Sequence, residues 1–167
     1  MFNLNPVEWF VGFPPELAVF FLSMIPITEL RAAIPIGIEV YKLPVFTTWI
    51  LAILGDIIPA IFILLLVPVL HDWVVKRRFL GPVLTKYLKR AEKTFSGKYE
   101  KYGLIAFVIF VAIPLPVTGS WTASFASFIF NIPFKKAFPP IFLGVCLAAT
   151  FVTLITLFAG GALRWLF

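Results

Sequence analysis

The chain has 167 residues, of which 61% are hydrophobic and 13% charged, and its formal net charge is +6. This composition leaves too little polar surface to cover a water-soluble globule of this size. We therefore expect an integral membrane protein with one membrane domain, residues 1–167, and no large soluble module, because each helical crossing uses about 20 apolar residues.

The first half of the chain predicts a helical hairpin followed by a long transmembrane helix. Residues 17–25 are apolar but long enough for only half of the hydrocarbon core. Pro26 interrupts this run, and residues 32–40 supply a second run of similar length. We interpret the interrupted stretch as the tip of a re-entrant hairpin. Residues 44–70 then form a run long enough to cross the membrane with some tilt.

The central segment, residues 71–101, carries nine basic and three acidic side chains, which account for the whole net charge of +6. Basic loops tend to stay in the cytoplasm, so we expect this segment there and both termini outside, in a multi-pass protein of the cell membrane. Apolar residues at helical spacing after Pro82 predict an amphipathic helix against the membrane or the bundle. Because topology already accounts for the basic residues, we expect no nucleic-acid partner.

The second half of the chain repeats the first arrangement. Residues 105–113 are again an apolar run of half length, which Pro114 and Pro116 break. Residues 120–130 return to an interface, and residues 137–163 are long enough to cross once more.

The two halves, residues 14–70 and 102–163, match element for element. The matching pairs, at offsets of 88 or 89 residues, are Pro26 and Pro114, Pro44 and Pro133, and Gly55 and Gly144. Because each repeat contains one full crossing, successive repeats must be inverted in the membrane. We therefore predict an all-α integral membrane protein with two inverted repeats, each a re-entrant helical hairpin followed by a long transmembrane helix, joined by the basic amphipathic cytoplasmic segment.

Charged side chains within the apolar runs are the main candidates for a site. Glu29 and Arg31 are the costliest residues of the chain at membrane depth, and such residues usually mark ion or substrate paths. We favour a functional role for them over a salt bridge that only holds the break in shape. Asp56, in the first long span, is the third candidate; its alternative role is a hydrogen bond to the second hairpin.

The second hairpin tip is neutral. Thr118 and Ser120 can line it with hydroxyls for substrate or protons; equally, small residues there let helices approach closely. The residues expected to break the two hairpins are Pro26, Pro35, Pro114, Pro116 and Gly119. Irregular backbone at membrane depth must be covered, so we expect the two breaks to face one another. The helix N-termini at Leu30 and Ser120 would then direct N–H groups to the centre, which suits an anion.

Several kinds of chemistry find no support in the sequence. Cys146 is the only cysteine and no metal-ligand pattern is present, so we expect no metal and no cofactor. We also expect no enzymatic activity, because Ser120 has no base at hand and the sole histidine, His71, lies at an interface.

Two stretches of sequence resemble a known family. Glu-Leu-Arg-Ala-Ala-Ile-Pro-Ile-Gly, residues 29–37, and Pro-Leu-Pro-Val-Thr-Gly-Ser-Trp, residues 114–121, look like the small multidrug export protein family. That family is similar in plan to the DedA (VTT-domain) membrane proteins, and the resemblance covers about residues 14–161. It implies two facing re-entrant hairpins with an acid in the first, here Glu29, and, for the DedA relatives, proton-linked transport of lipid carriers or phospholipids. DedA proteins place arginines in the second hairpin, whereas Arg31 is the only intramembrane cation here.

We therefore expect a membrane transporter or lipid translocase of the DedA-like type, coupled to protons, with its site between the two hairpin tips. An ionised Glu29 should pair with Arg31, and a protonated Glu29 should release Arg31 to hold an anionic group of the substrate. The alternative is a non-transporting membrane scaffold or assembly subunit. Expected partners are membrane lipids, a lipid or small-molecule substrate, protons, and further copies of the chain, since little protein shields the half-helices from lipid.

Overall fold

The structure is a computed structural model that describes residues 12–75, 103, 105, 107–113, 119–130 and 132–166. Every element in these ranges is helical, which confirms the all-α prediction for them. In chain order the elements are α1 (Pro15–Met24), α2 (Glu29–Pro35), a π-helical turn (Ile36–Val40), α3 (Val45–Val75), α4 (107–112), α5 (Ser120–Ile129) and α6 (Phe134–Leu166). The amphipathic helix predicted after Pro82 and the second tip, 114–118, lie outside the described residues.

Prolines mark both ends of helix α1, with Pro15 as its first residue and Pro26 two residues after its last. Pro15 occupies the first turn, where a missing N–H costs nothing. The helix ends at Met24, and Ile25 is extended, with φ −80° and ψ 130°. The following Pro26 explains this conformation, because the proline ring disfavours helical backbone in the residue before it. The predicted break therefore falls at its expected place, and α1 packs against α2 and the π-helical turn to form a helical hairpin.

The second leg of the hairpin differs from the uniform helix predicted for residues 30–40. Helix α2 begins earlier, at Glu29, and the chain changes to a π-helical turn after Pro35. Pro35 has no N–H and cannot donate to the preceding turn, so the regular α-helical bonding is interrupted there. Tyr41 N–H instead donates to Ile36 O at 3.0 Å, five residues back. The wide turn brings Gly37 against the side chains of Thr48 and Val19.

Two helices, α3 and α6, are long and apolar enough to cross a membrane by length and composition. The qualifying stretches are Val45–Leu66 and Phe134–Ala159, close to the predicted spans 44–70 and 137–163. Both helices keep large apolar side chains exposed, including Phe62, Leu143 and Phe158. Apolar surface of this extent is unusual on a water-soluble monomer and is normal for a helix that contacts lipid.

The chain divides into two compact units. Unit 1 comprises Met1–Ile58 and Val145–Phe167, and unit 2 comprises Pro59–Gly144. Unit 1 therefore contains the first hairpin, the start of α3 and the end of α6. A hydrogen bond from Trp49 Nε1 to Thr150 Oγ1, 3.3 Å, joins these parts of α3 and α6.

Each unit contains a close helix contact at a glycine of a long helix. In unit 1, Gly55 of α3 lies against the carbonyl of Phe20 and the hydroxyl of Ser23 in α1, so that no Cβ would fit. In unit 2, Gly144 of α6 lies against Val111, and a Cβ there would be 2.6 Å from Val111 Cβ and 3.1 Å from the carbonyl oxygen of residue 108. Equivalent residues make the two contacts, because Ser23 and Val111 are 88 residues apart and Gly55 and Gly144 are 89 apart.

Candidate functional site

The break between α1 and α2 is closed by hydrogen bonds to the carbonyls at the end of α1. Thr28 Oγ1 donates to Leu22 O at 2.5 Å and lies 3.4 Å from Ile25 O. The backbone N–H of Glu29 also donates to Ile25 O, at 2.8 Å. The last carbonyls of a helix have no partner within it. Here the turn itself supplies partners, which lets irregular backbone exist in an apolar hairpin.

Glu29 starts α2 in the left-handed region, with φ 45°. This conformation is uncommon for a residue with a Cβ and costs of order 1–3 kcal/mol. It also has a geometric consequence. Residues two apart on a regular helix do not face each other, but Glu29 precedes the regular turns of α2, so its side chain can reach that of Arg31.

Glu29 and Arg31 form an ion pair, with Oε2 of the glutamate 3.5 Å from a guanidinium nitrogen. The glutamate side chain is 7% exposed and the arginine side chain 21% exposed. Desolvation of two charges offsets much of their attraction, so a buried pair contributes little net stability compared with apolar side chains. A left-handed glutamate in a desolvated pair is therefore hard to explain by stability.

The tip of the first hairpin is apolar and projects from the packed helices. Pro26 is exposed, and Ile27 is 88% exposed. The next two residues, Thr28 and Glu29, are buried. The polar residues thus lie beneath an apolar tip. Pro35, the other predicted break of this hairpin, is the last residue of α2 and precedes the π-helical turn.

Asp56 is buried on α3 and follows Gly55, the residue that packs against α1. Its backbone therefore lies beside the last turns of α1, in the same unit as Glu29. Whether Asp56 takes part in function stays a prediction.

The second hairpin is described on both sides of its predicted tip, as α4 before residues 114–118 and α5 after them. Gly119 is extended and caps α5, and Ser120, the first residue of α5, is buried. Thr118, Pro114 and Pro116 lie outside the described residues. The prediction that the two tips face one another stays a prediction.

Several buried hydroxyls were not among the predicted site residues. Ser124 and Ser127 continue the buried face of α5 from Ser120, and each donates to a carbonyl four residues earlier. Ser124 lies four residues after Ser120 and Ser127 three residues after Ser124, and this helical spacing was the available sequence signal. Thr28 was also missed, although a threonine directly before an intramembrane glutamate could have been noticed. No group of three His, Cys, Asp or Glu side chains that could hold a metal occurs among the described residues.

A second ion pair provides a contrast to the first. Lys42 Nζ lies 3.6 Å from Glu39 Oε2, and both side chains are solvent-exposed, at 62% and 39%. Exposed pairs of this kind contribute about 0–1 kcal/mol. Glu39 is thus a matched reference for Glu29, being a glutamate of the same hairpin paired with a cation outside the packed interior.

Comparison with known proteins found one family. The family model of the small multi-drug export proteins matches residues 29–151. Export is the activity that the description of this family proposes. The matched region starts at Glu29 and includes Arg31, Asp56 and Ser120. No curated protein and no solved structure is significantly similar to the chain.

Proposed function

Because the chain belongs to the small multi-drug export protein family, we propose that it is a membrane exporter in which the Glu29–Arg31 pair couples substrate movement to protons. Family membership and the two long apolar helices support association with a membrane. The proposed activity involves binding and conformational change and no covalent chemistry. The proposal also includes the DedA-like plan of two re-entrant hairpins in inverted repeats.

One observation carries this proposal: the buried, left-handed Glu29 is ion-paired with Arg31 at the break of the first hairpin. Ionisable residues at membrane depth are expensive, and they usually mark ion or substrate paths. The strained backbone supports the same reading, because such outliers cluster at functional sites.

The proposed coupling follows from the pair. With Glu29 ionised, the carboxylate and the guanidinium neutralise each other. A proton on Glu29 removes the carboxylate charge that faces the partly buried guanidinium of Arg31. An anionic group of the substrate restores neutrality, so proton and substrate enter together. Loss of the proton reforms the ion pair and expels the anion.

The substrate class follows from the same logic. An amphipathic molecule with an anionic group, such as an anionic phospholipid or a lipophilic organic anion, matches a partly buried guanidinium beneath an apolar tip. A guanidinium binds carboxylate and phosphate oxygens in pairs, and the exposed Ile27 offers apolar contact to the rest of the molecule.

Transport by reconstituted vesicles tests the function. We would measure, with and without an imposed pH gradient, the movement of a labelled anionic phospholipid, a lipophilic organic anion and a lipophilic cation. We expect at least one anionic probe to move faster than in protein-free vesicles, and the gradient to change its rate. Movement of the cation alone would contradict the role of Arg31. If none of the three probes moves faster than in protein-free vesicles, the result would favour a membrane scaffold instead.

The proposed topology has support in helix lengths. Helix α1 has 10 residues, about 15 Å of helix, which is half of a hydrocarbon core of about 30 Å. A hairpin of this depth would enter and leave on one side. The repeated glycine contacts, at Gly55 and Gly144, support two equivalent halves. Further copies of the chain are part of the proposal, as cover for the short helices.

Residues Lys93 and Asn3 report on this topology. We expect Lys93→Cys and Asn3→Cys, placed singly in a Cys146→Ala background, to react with a membrane-impermeant maleimide from opposite sides of the membrane. The reason is that the basic central segment stays in the cytoplasm while the start of the chain stays outside. Labelling of both cysteines from the same side would rule out the proposed topology.

A further inference from the structure

The hydroxyl of Thr28 reaches farther back along the chain than the other buried hydroxyls whose hydrogen bonds are known; that of Ser23 donates to Phe20 O, three residues earlier. Those of Thr48, Ser124, Ser127 and Thr156 donate to a carbonyl four residues earlier, within or at the start of their own helix. Thr28 instead reaches back six residues, across the break, to Leu22 in α1. Its hydroxyl therefore connects the two legs of the hairpin.

A single carbonyl links this hydroxyl to Glu29. Ile25 O accepts the N–H of Glu29 at 2.8 Å and lies 3.4 Å from Thr28 Oγ1. The Thr28 hydroxyl and the Glu29 amide thus contact the same end of α1. The Thr28 carbonyl accepts the N–H of Ala32 at 3.1 Å, which holds the first turn of α2.

These bonds constrain the peptide before Glu29 and the helix after it. Glu29 connects this peptide to this helix, and it does so with a left-handed φ of 45°. Left-handed backbone is unfavourable for a residue with a Cβ, so it persists only where the surroundings determine it. Without the Thr28 hydroxyl, the end of α1 loses its shortest contact with the turn, and Glu29 is free to relax towards right-handed backbone.

We propose that Thr28 is the positioning residue for the Glu29–Arg31 pair: its hydroxyl holds Glu29 in the left-handed conformation that brings the carboxylate to Arg31. The inference deepens the proposed function and, for transport, rests on it. The claim about position stands separately, since the ion pair can be measured without any transport.

Thr28→Val removes the hydroxyl and keeps the branched shape, and Thr28→Ser keeps the hydroxyl. Thr156→Val is the matched control, because Thr156 is 7% exposed against 6% for Thr28 and its hydroxyl also donates to a carbonyl. Thr28→Ala is a second hydroxyl-free variant with a smaller side chain, in case the valine does not fold.

The direct test is a solid-state NMR measurement on the full chain in vesicles. Protein carrying ¹³C at glutamate side-chain carboxyls and ¹⁵N at arginine guanidinium groups would report carboxylate–guanidinium proximity, with Glu29→Gln as baseline. We expect dipolar coupling above the baseline in the unmodified protein, Thr28→Ser and Thr156→Val, and its loss in Thr28→Val and Thr28→Ala. Coupling that survives in a folded hydroxyl-free variant, or is missing from the unmodified protein, overturns the proposal.

Transport gives a second readout that a purely structural cap would not produce. If Thr28 acts through the pair, Thr28→Val impairs gradient-driven transport, Thr28→Ser restores it, and adding Thr28→Val to Glu29→Gln changes transport no further. Additive losses in the double variant would instead mean that Thr28 acts apart from the pair. If Glu29→Gln transports normally, the proposed function fails, while the NMR result still decides the positioning claim.

Discussion

Glu29→Gln is expected to abolish the response of transport to an imposed pH gradient. Glutamine keeps the shape and a hydrogen-bonding end but cannot bind or release a proton, so Arg31 loses its switchable partner. Gradient-driven initial rates in vesicles should fall by about tenfold or more, which corresponds to an activation free energy higher by roughly 1.4 kcal/mol. Glu39→Gln is the matched control: it removes the exposed carboxylate beside Lys42 and should leave transport unchanged.

Two further variants separate charge from backbone. Arg31→Lys keeps the positive charge but loses the planar fork, so transport should fall although the charge is kept. Glu29→Gly suits the left-handed φ of 45° and removes the carboxylate, so it should fold well and still fail to respond to the gradient. Gradient-responsive transport in Glu29→Gln at the unmodified rate would show that the pair is only structural.

Gly55→Ala is expected to destabilise the packing of α1 on α3. The new methyl would overlap the carbonyl oxygen of Phe20 and the hydroxyl of Ser23. The carbonyl belongs to the α1 backbone and cannot rotate away, so α1 would have to move away from α3. Overpacking of this kind costs roughly 1–3 kcal/mol, and more where backbone must move. The apparent midpoint of thermal unfolding in detergent should fall by on the order of 10 °C.

The neighbouring positions supply the controls. Val45→Ile adds one carbon to an exposed side chain on α3 and should leave the midpoint unchanged. Ser23→Ala, added to Gly55→Ala, removes the clashing hydroxyl but not the Phe20 carbonyl, so it should restore only part of the loss. If Gly55→Ala unfolds at the midpoint of the unmodified protein, α1 and α3 do not meet at this glycine.

The lengths of α1, α3 and α6 and the place of the first break were determined by the sequence alone, because they depend on neighbouring residues. An apolar run either spans the hydrocarbon core or does not, and Pro26 disfavours helix at Ile25 whatever packs around it. The same local reasoning located α3 and α6 to within a few residues. It also singled out Glu29 and Arg31, since charge in an apolar run is visible without any structure.

Tertiary structure decided how those residues are used. The left-handed backbone of Glu29 and the reach of Thr28 to Leu22 depend on where the end of α1 lies relative to α2. The distance between the end of α1 and the start of α2 cannot be read from the sequence, because it is set when the two helices pack. The same holds for Gly55, whose lack of a side chain became meaningful only when the carbonyl of Phe20 came to lie against it.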